Sequence, residues 1–272
     1  MTKRILLIAD IVGVGRVGVT ASMPVLMRMG YDVANLPTAL VSNNFGYGRY
    51  AMRDMGDYLT ETLGVWDDLD FSYDGIITGF IPSEEQAEVI AAYCRRQRAH
   101  GSFIVVDPVM GDGGTLYSGL PPKIVAIMRD MVGISHLTCP NYTEACYLLS
   151  QECKPEGVSK AEAYQMLRRL REMGAESAVI TSITVDGQTS VAGYDGRKKN
   201  DKEDLSDPRF ILPYQEIPAV FSGTGDVFSA FLVGKLMAGM PLKDATQYAM
   251  FTLSDLIEKF KDYPDKYMGL PI

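Results

Sequence analysis

The chain has 272 residues, of which 47% are hydrophobic and 22% charged, and its formal net charge is −8. This length and composition are typical of a globular protein with a sizeable core, and they exclude a disordered, collagen-like or coiled-coil chain. The acidic balance disfavours nucleic-acid binding through a broad basic surface, but it is compatible with a local nucleotide site.

Membrane and metal signals are weak along the sequence. No apolar run reaches the ~20 residues that span a bilayer, and the apolar stretch at the N-terminus ends at Asp10, too early for a signal peptide. With only two histidines and no CxxC pair, a histidine-rich zinc site is excluded. We therefore expect a cytoplasmic protein whose four cysteines are reduced and partly buried.

Short apolar, β-branched runs alternate with amphipathic stretches along most of the chain. These runs predict strands at residues 4–9, 32–37, 75–79, 103–107, 136–139 and 178–182. The alternation predicts an α/β protein with a mostly parallel sheet and helices on both faces. Because we find no internal repeat and no linker, we expect one domain over residues 1–272.

Helices and a late hairpin complete the predicted elements. Ser83 and Ser159 are each followed three residues later by Gln or Glu, which predicts reciprocally capped helices that end near residues 100 and 174. Further segments are predicted as helices at 225–238 and 241–261, and as an antiparallel pair at 188–193 and 209–213. The charged connection over 194–208 is interpreted as a surface loop.

The first glycine-rich stretch, Gly13 to Gly18, fits G-x-G-x-x-G. The second predicted strand ends at Pro37 without an acidic residue for a ribose hydroxyl, and Val19 stands where a P-loop needs Lys. Neither nucleotide motif is therefore supported. We interpret the stretch as a glycine turn that lets the backbone approach a neighbour or a small ligand.

The second stretch, Phe221-Ser-Gly-Thr-Gly-Asp226, precedes an apolar helical run. Successive backbone amides at such a helix start form an anion site, and the helix dipole adds to it. Asp226 is either the base that accepts a proton from an alcohol attacking a phosphoryl group, or an electrostatic cap of the helix.

Two acidic motifs follow predicted strands. Asp107 and Asp112 lie in Asp-Pro-Val-Met-Gly-Asp, and Asn141 and Glu144 lie in Cys-Pro-Asn-Tyr-Thr-Glu. The carboxyl ends of parallel strands are where ligands bind, and paired carboxylates suit a hydrated cation shared with phosphates. The alternatives are turn formation by the aspartates and a capping box formed by Asn141 and Glu144.

The order of these motifs is more specific than any one of them. D-P-V-M-G-D, T-C-P-N-x-x-E, I-T-S and G-T-G-D in this order resemble the ribokinase superfamily, and within it the pyridoxal/pyridoxamine (vitamin B6) kinases. That resemblance covers essentially the whole chain. It implies a three-layer αβα ribokinase-like fold, a homodimer, and ATP-dependent phosphorylation of a 5′-hydroxymethyl group with Mg²⁺ and a monovalent cation, K⁺ or Na⁺.

The resemblance also implies roles for residues. The catalytic base would be Asp226, and the anion hole Gly223, Thr224 and Gly225. ATP would be bound by Asp112, Tyr117, Asn141, Glu144, Thr181 and Ser182. Asp112 and Glu144 would lie near Mg²⁺, and Asp107 and Thr138 would border the monovalent-cation site. The vitamer would be bound by Asp10, Val17, Phe45, Phe80 and Asp226.

The chain departs from the family in the substrate site. Asp10, Phe45 and Phe80 stand where the family commonly has Ser, Thr and Tyr, so the kinase machinery is intact while the ring pocket is altered. We expect a preference for pyridoxamine over pyridoxal, unless Asp10 is only a strand-end residue that faces solvent. A hydroxymethylpyrimidine kinase, a sugar kinase and a non-catalytic B6-binding protein are the alternatives. The pyrimidine branch often has Cys in place of the anion-hole Asp, so Asp226 favours the B6 branch.

Overall fold

The computed structural model describes residues 2–117, 120, 123–197 and 207–272. Along these residues the strands are β1 Arg4–Val14, β2 Asp32–Asn43, β3 Met52–Asp54, β4 Gly75–Thr78, β5 Phe103–Val106, β6 Gly111–Asp112, β7 Thr115–Leu116, β8 Leu137–Thr138, β9 Ser177–Val185, β10 Gln188–Tyr194 and β11 Arg209–Pro213. The helices are α1 Val19–Arg28, α2 Gly56–Asp68, α3 Glu84–Ala99, α4 Ile124–Val132, α5 Tyr142–Leu148, α6 Lys160–Glu172, α7 Thr224–Met237 and α8 Leu242–Phe260. Of the predicted loop over 194–208, residues 198–206 lie outside the described part.

The chain forms two compact units. The first contains Met1–Phe103 and Ile217–Ile272, and the second contains Ile104–Glu216. The expectation of a single domain over residues 1–272 stays a prediction.

The first unit is built on the strand order β4-β1-β2-β3. β1 is parallel to both β4 and β2, whereas β3 is antiparallel to β2. Consecutive residues of β1 from Ile5 to Ile8 are buried, and because neighbouring side chains point to opposite faces, both faces of this strand are covered. Helix α1 contacts β1 and β2 and packs on α7, which packs on α8, while α2 contacts β2 and α3.

The second unit has the strand order β11-β10-β9-β8-β5. β5, β8 and β9 are parallel, and β9, β10 and β11 are antiparallel, as predicted for the late pair. Helix α5 packs on α4, α6 and β9, and β6 with β7 forms a separate two-stranded ribbon. The predicted α/β class with mostly parallel strands is confirmed.

The two predicted capping boxes have different outcomes. At Ser159 both halves are present, because the Ser side chain accepts from the Glu162 amide and the Glu162 side chain accepts from the Ser159 amide. At Ser83 the side chain accepts from the Gln86 amide as predicted, but the predicted return bond from the Ser83 amide to the Gln86 side chain is wrong. The Gln86 side chain is buried, and its amide donates instead to the Thr38 carbonyl at 2.9 Å. The Gln86 side chain therefore bonds a residue distant in sequence, Thr38, in place of its neighbour Ser83.

The thiol prediction is confirmed, since all four cysteines are free and Cys94, Cys139 and Cys146 are buried. His136 has a structural role, since its Nδ1 accepts from the Ile104 amide at 2.9 Å. None of the helices in the described ranges is long and apolar enough to cross a lipid bilayer.

Candidate active site

Asp10 lies inside a strand, not at its end. Strand β1 continues to Val14, so the predicted end at residue 9 is wrong. The pairing of β1 with β2 shifts register between Ala9 and Ile11, and the pairing with β4 ends at Ile8. Asp10 thus lies at an irregularity beyond the end of a neighbouring parallel strand, a position typical of ligand sites. Its exposed fraction is 6%, so the alternative of a solvent-facing turn residue is wrong.

Two carboxyl groups converge on Gly18. The carboxylate of Asp226, in the first turn of α7, accepts hydrogen bonds from the Gly18 amide and from its own amide. A Cβ atom added to Gly18, which has φ 56°, would lie 2.5 Å from Asp10 Oδ1. The last glycine of the first glycine-rich stretch therefore brings the two acids together. The sequence marked this glycine but did not reveal its partners.

The convergence of the two acids changes their acidity. Burial raises the pKa of Asp226 to about 6, against hydrogen bonds from the Gly18 and Asp226 amides that lower it. The pKa of Asp10 rises to about 7, chiefly through burial and further through the charge of Asp226. As pH falls, Asp10 therefore takes up a proton before Asp226 does. Near neutral pH, Asp226 stays ionised and can serve as a base.

Asp10→Asn is expected to stabilise the fold at high pH relative to the parent. The pKa of Asp10 is raised from 3.8 to about 7, so its protonation stabilises the folded chain fully below about pH 4, and this contribution is lost as pH rises through 7. At about 1.36 kcal/mol per pKa unit, the loss between pH 5 and pH 8 is on the order of 2–3 kcal/mol. Urea unfolding of both proteins at these pH values measures it, and an equal difference at both contradicts the assignment.

The predicted anion-hole loop packs against the first glycine-rich stretch. Gly223 precedes α7 with φ 76°, and a Cβ atom added there would overlap the Arg16 carbonyl oxygen and lie 3.2 Å from Val17 Cγ1. Gly223, the N-cap residue of α7, has no side chain that could cap the helix, and the Asp226 carboxylate accepts from its own amide in the first turn. The amides of Thr224 and Gly225 therefore lie at a helix start without an N-cap side chain, next to Asp226. The predicted close backbone approach is confirmed, although Gly13 lies within β1 and not in a turn.

An aromatic cluster lies in the same unit. The Phe45 ring is 4.4 Å from that of Tyr50 and 6.0 Å from that of Phe80, measured between centroids. Phe80 follows β4 and is anchored through its carbonyl, which accepts from the Thr38 hydroxyl at 2.7 Å. The predicted substrate residues Phe45 and Phe80 are thus brought together. Tyr50 was missed, and its only sequence signal is its place in an aromatic loop after β2.

The second unit holds the predicted nucleotide residues. Asp107 and Glu144 are both buried. Glu144 accepts hydrogen bonds from the amides of Met110 at 3.0 Å and Asn141 at 2.9 Å, and Asn141 completes a reciprocal capping box. Burial, and then the charge of Asp107, raises the pKa of Glu144 well above its ordinary value. The capping alternative is confirmed, and the repulsion between two buried carboxylates also favours a cation beside them.

The other predicted cation residues differ in their surroundings. Asp112 is exposed, and its Oδ1 accepts from the Gly113 amide at 2.7 Å, as the turn alternative predicted. Thr138 is buried and donates to the Val106 carbonyl. In the described ranges no cluster of three or more His, Cys, Asp or Glu is placed to hold a metal. Mg²⁺ commonly takes one or two carboxylates plus substrate phosphates and water, so Asp107 and Glu144 fit this ion.

Strand β9 has a bulge at Thr181 and Ser182. Ser182 has φ 54°, and the register between β9 and β10 shifts between Ser190 and Ala192. Such a bulge redirects side chains, here the predicted nucleotide residues Thr181 and Ser182. The Ser182 side chain hydrogen-bonds Tyr214, which the sequence did not single out. The remaining nucleotide residue, Tyr117, has 42% of its surface exposed, and its amide donates to the Met110 carbonyl.

Comparisons with known proteins identify the family of the chain. The phosphomethylpyrimidine kinase family model matches residues 15–266. A pyridoxal kinase of Arabidopsis thaliana is 30% identical over 268 residues, covering 96% of this chain and 83% of that protein.

Solved structures show the same fold. Pyridoxal kinase from Lactobacillus plantarum has a TM-score of 0.87 and 28% identity, covering 99% of this chain and 94% of that one. Pyridoxal kinase from Leishmania donovani, in complex with ADP and pyridoxamine, has a TM-score of 0.84 and 27% identity, covering 99% and 92%. The ribokinase-like fold predicted from the motif order is confirmed. The chain belongs to the pyridoxal kinase family of the ribokinase superfamily.

Proposed function

We propose that the protein phosphorylates the 5′-hydroxymethyl group of a B6 vitamer with ATP, and that Asp226 is the base. The observation that carries this proposal is the position of Asp226, which is held by the Gly18 amide in the first turn of α7. A base and an anion site thus share one helix turn. The complex of the Leishmania donovani relative with ADP and pyridoxamine supports the same pair of substrates.

The residues divide the chemistry of the transfer. Asp226 accepts the proton of the attacking hydroxymethyl group, and the amides of Gly223, Thr224 and Gly225 bind the phosphoryl oxygens, aided by the dipole of α7. Asp107 and Glu144 would hold Mg²⁺, which when bound neutralises charge on the phosphates. We also propose that Asp107 and Thr138 border a site for K⁺ or Na⁺, and that Asp112, Tyr117, Asn141, Thr181 and Ser182 contact ATP.

The test is an ATP-consumption assay over pyridoxamine, pyridoxal, pyridoxine, hydroxymethylpyrimidine and a sugar. Hydroxymethylpyrimidine belongs in the panel because the matched family model carries the phosphomethylpyrimidine kinase name. Turnover of a vitamer supports the proposal. Turnover of the pyrimidine or the sugar alone would assign the alternative kinase, and binding of a vitamer without turnover would assign a carrier protein.

Asp10 and Phe45 are proposed to set the choice among vitamers. The buried Asp10 carboxyl can accept a charge-assisted hydrogen bond from a protonated aminomethyl group, and the Phe45 ring provides a surface for stacking. Asp10→Ser is expected to lower the ratio of kcat/KM for pyridoxamine to that for pyridoxal on the order of tenfold. Steady-state kinetics with both vitamers measures this ratio, and an unchanged ratio removes Asp10 from the substrate site.

A homodimer is part of the proposal. Val14, Leu40 and Met52 are apolar, more than 40% exposed, and lie on β1, β2 and the edge strand β3. Exposed apolar residues at a sheet edge suit a second copy of the chain. The cytoplasmic location stays a prediction.

A further inference from the structure

A short C-terminal segment contacts three loops of the proposed substrate site in the first unit. This segment, residues 265–270, is called the C-terminal strap. It contains the 3₁₀ turn Lys266–Met268 and ends in Leu270, which is 1% exposed in an apolar cluster with Ala219 and Phe221. The strap is therefore anchored in the core beside the anion-hole loop.

The strap holds the Phe45 loop, residues 44–47, through four contacts. The Asn44 side-chain amide donates to the Tyr267 carbonyl at 3.1 Å, and the Tyr47 hydroxyl donates to Asp265 Oδ2 at 2.5 Å. The Tyr267 ring covers Gly46 so closely that a Cβ atom there would overlap it. The rings of Tyr47 and Tyr267 are 5.4 Å apart in an edge-on arrangement. Tyr267 is thus the centre of this attachment.

The strap also holds the first glycine-rich stretch, through Arg16, and the anion-hole loop, through Ser222. The Arg16 amide donates to the Met268 carbonyl at 2.9 Å, and Arg16 Nη1 donates to the Gly269 carbonyl at 3.2 Å. The Ser222 amide donates to the Lys266 carbonyl at 3.2 Å. Through Arg16, the strap borders the backbone that contacts Gly223 and leads to Gly18.

We propose that Tyr267 and Arg16 are positioning residues of the phosphoryl-transfer reaction, and that the C-terminal strap sets the substrate ring against the base. Tyr267 fixes the Phe45 loop, and Arg16 fixes the two loops that carry the Asp226 hydrogen bond and the anion hole. This inference rests on the proposed function. Because the two residues act on different loops, their loss is expected to affect different kinetic constants.

Tyr267→Ala removes the ring that covers Gly46. We expect the KM for the preferred vitamer to rise on the order of tenfold, because the Phe45 ring is no longer held in place, with kcat and the KM for ATP within about twofold of the parent. Tyr267→Phe is the matched control, since it keeps the ring and should restore the parent KM. A KM unchanged in the Ala variant, or a KM for ATP that rises equally, overturns the role of Tyr267.

Arg16→Ala removes the guanidinium that binds the strap carbonyls. We expect kcat to fall on the order of 10- to 100-fold, since small displacements of reacting groups are costly, while the vitamer KM changes little. Arg16→Lys should recover part of kcat. A fall in melting temperature with unchanged kcat would make Arg16 merely structural and overturn its role.

Calorimetric titration of pyridoxamine without ATP separates this inference from the proposed function. If the parent binds the vitamer without phosphorylating it, the proposed function fails, yet Tyr267→Ala must still weaken binding on the order of tenfold. If the parent phosphorylates the vitamer and both Ala variants match it, the positioning role fails alone.

Discussion

Replacing Asp226 by Asn is expected to lower kcat by at least ~10²-fold, the lower range for loss of a general base, while the fold and ATP binding stay nearly unchanged. The Asn amide oxygen can still accept from the Gly18 amide and from its own amide, so the local structure is preserved. What is lost is the ability to take the proton of the attacking alcohol. Initial-rate kinetics, with calorimetric titration of ATP, measure the two effects separately.

The pH profile gives an independent readout of this base. The pKa of Asp226 lies at about 6 and that of Asp10 at about 7, so kcat/KM of the parent should fall as pH is lowered through this interval. The sign follows because only the ionised carboxylate accepts a proton. The limb that belongs to Asp226 should be missing in the Asn variant. Activity of the Asn variant comparable to the parent would reduce Asp226 to a helix cap.

The features that the sequence predicted well depend on neighbouring residues. The start of α7 was predicted at residue 225 and lies at Thr224, because a glycine pair before an apolar run is a local signal. Asn141 and Glu144 formed the capping box that their spacing indicated. The motif order placed the acidic residues after β5 and β8, because strand ends can be read from hydrophobic runs.

The features that the sequence did not reveal depend on distant partners. A carboxylate rarely lies inside a buried strand, so the sequence predicts that β1 ends before Asp10, yet the environment of Asp10 is set by Gly18 and by Asp226 on α7. The bulge at Ser182 depends on the register with β10. The C-terminal strap has no sequence motif, since its contacts with Arg16 use backbone carbonyls that any residue can supply.

Gly223→Ala is expected to lower kcat by about 10²- to 10³-fold, the range seen when a preorganised donor is lost from an anion site. Gly223 has φ 76°, where a side chain is strained, and a Cβ atom would overlap the Arg16 carbonyl oxygen. The loop must therefore move, and the amides at the start of α7 move with it. Initial-rate kinetics at saturating ATP and vitamer measure the loss.

Gly64→Ala is the matched control for this substitution. Gly64 lies within α2, where an added Cβ meets nothing within 4 Å, and Ala is favoured over Gly in a helix by up to about 1 kcal/mol. The control should therefore keep the parent kcat and a slightly higher melting temperature. If Gly223→Ala instead folds with the parent kcat, the loop tolerates the displacement. The amides of Thr224 and Gly225 would then not be the groups that hold the transferred phosphoryl.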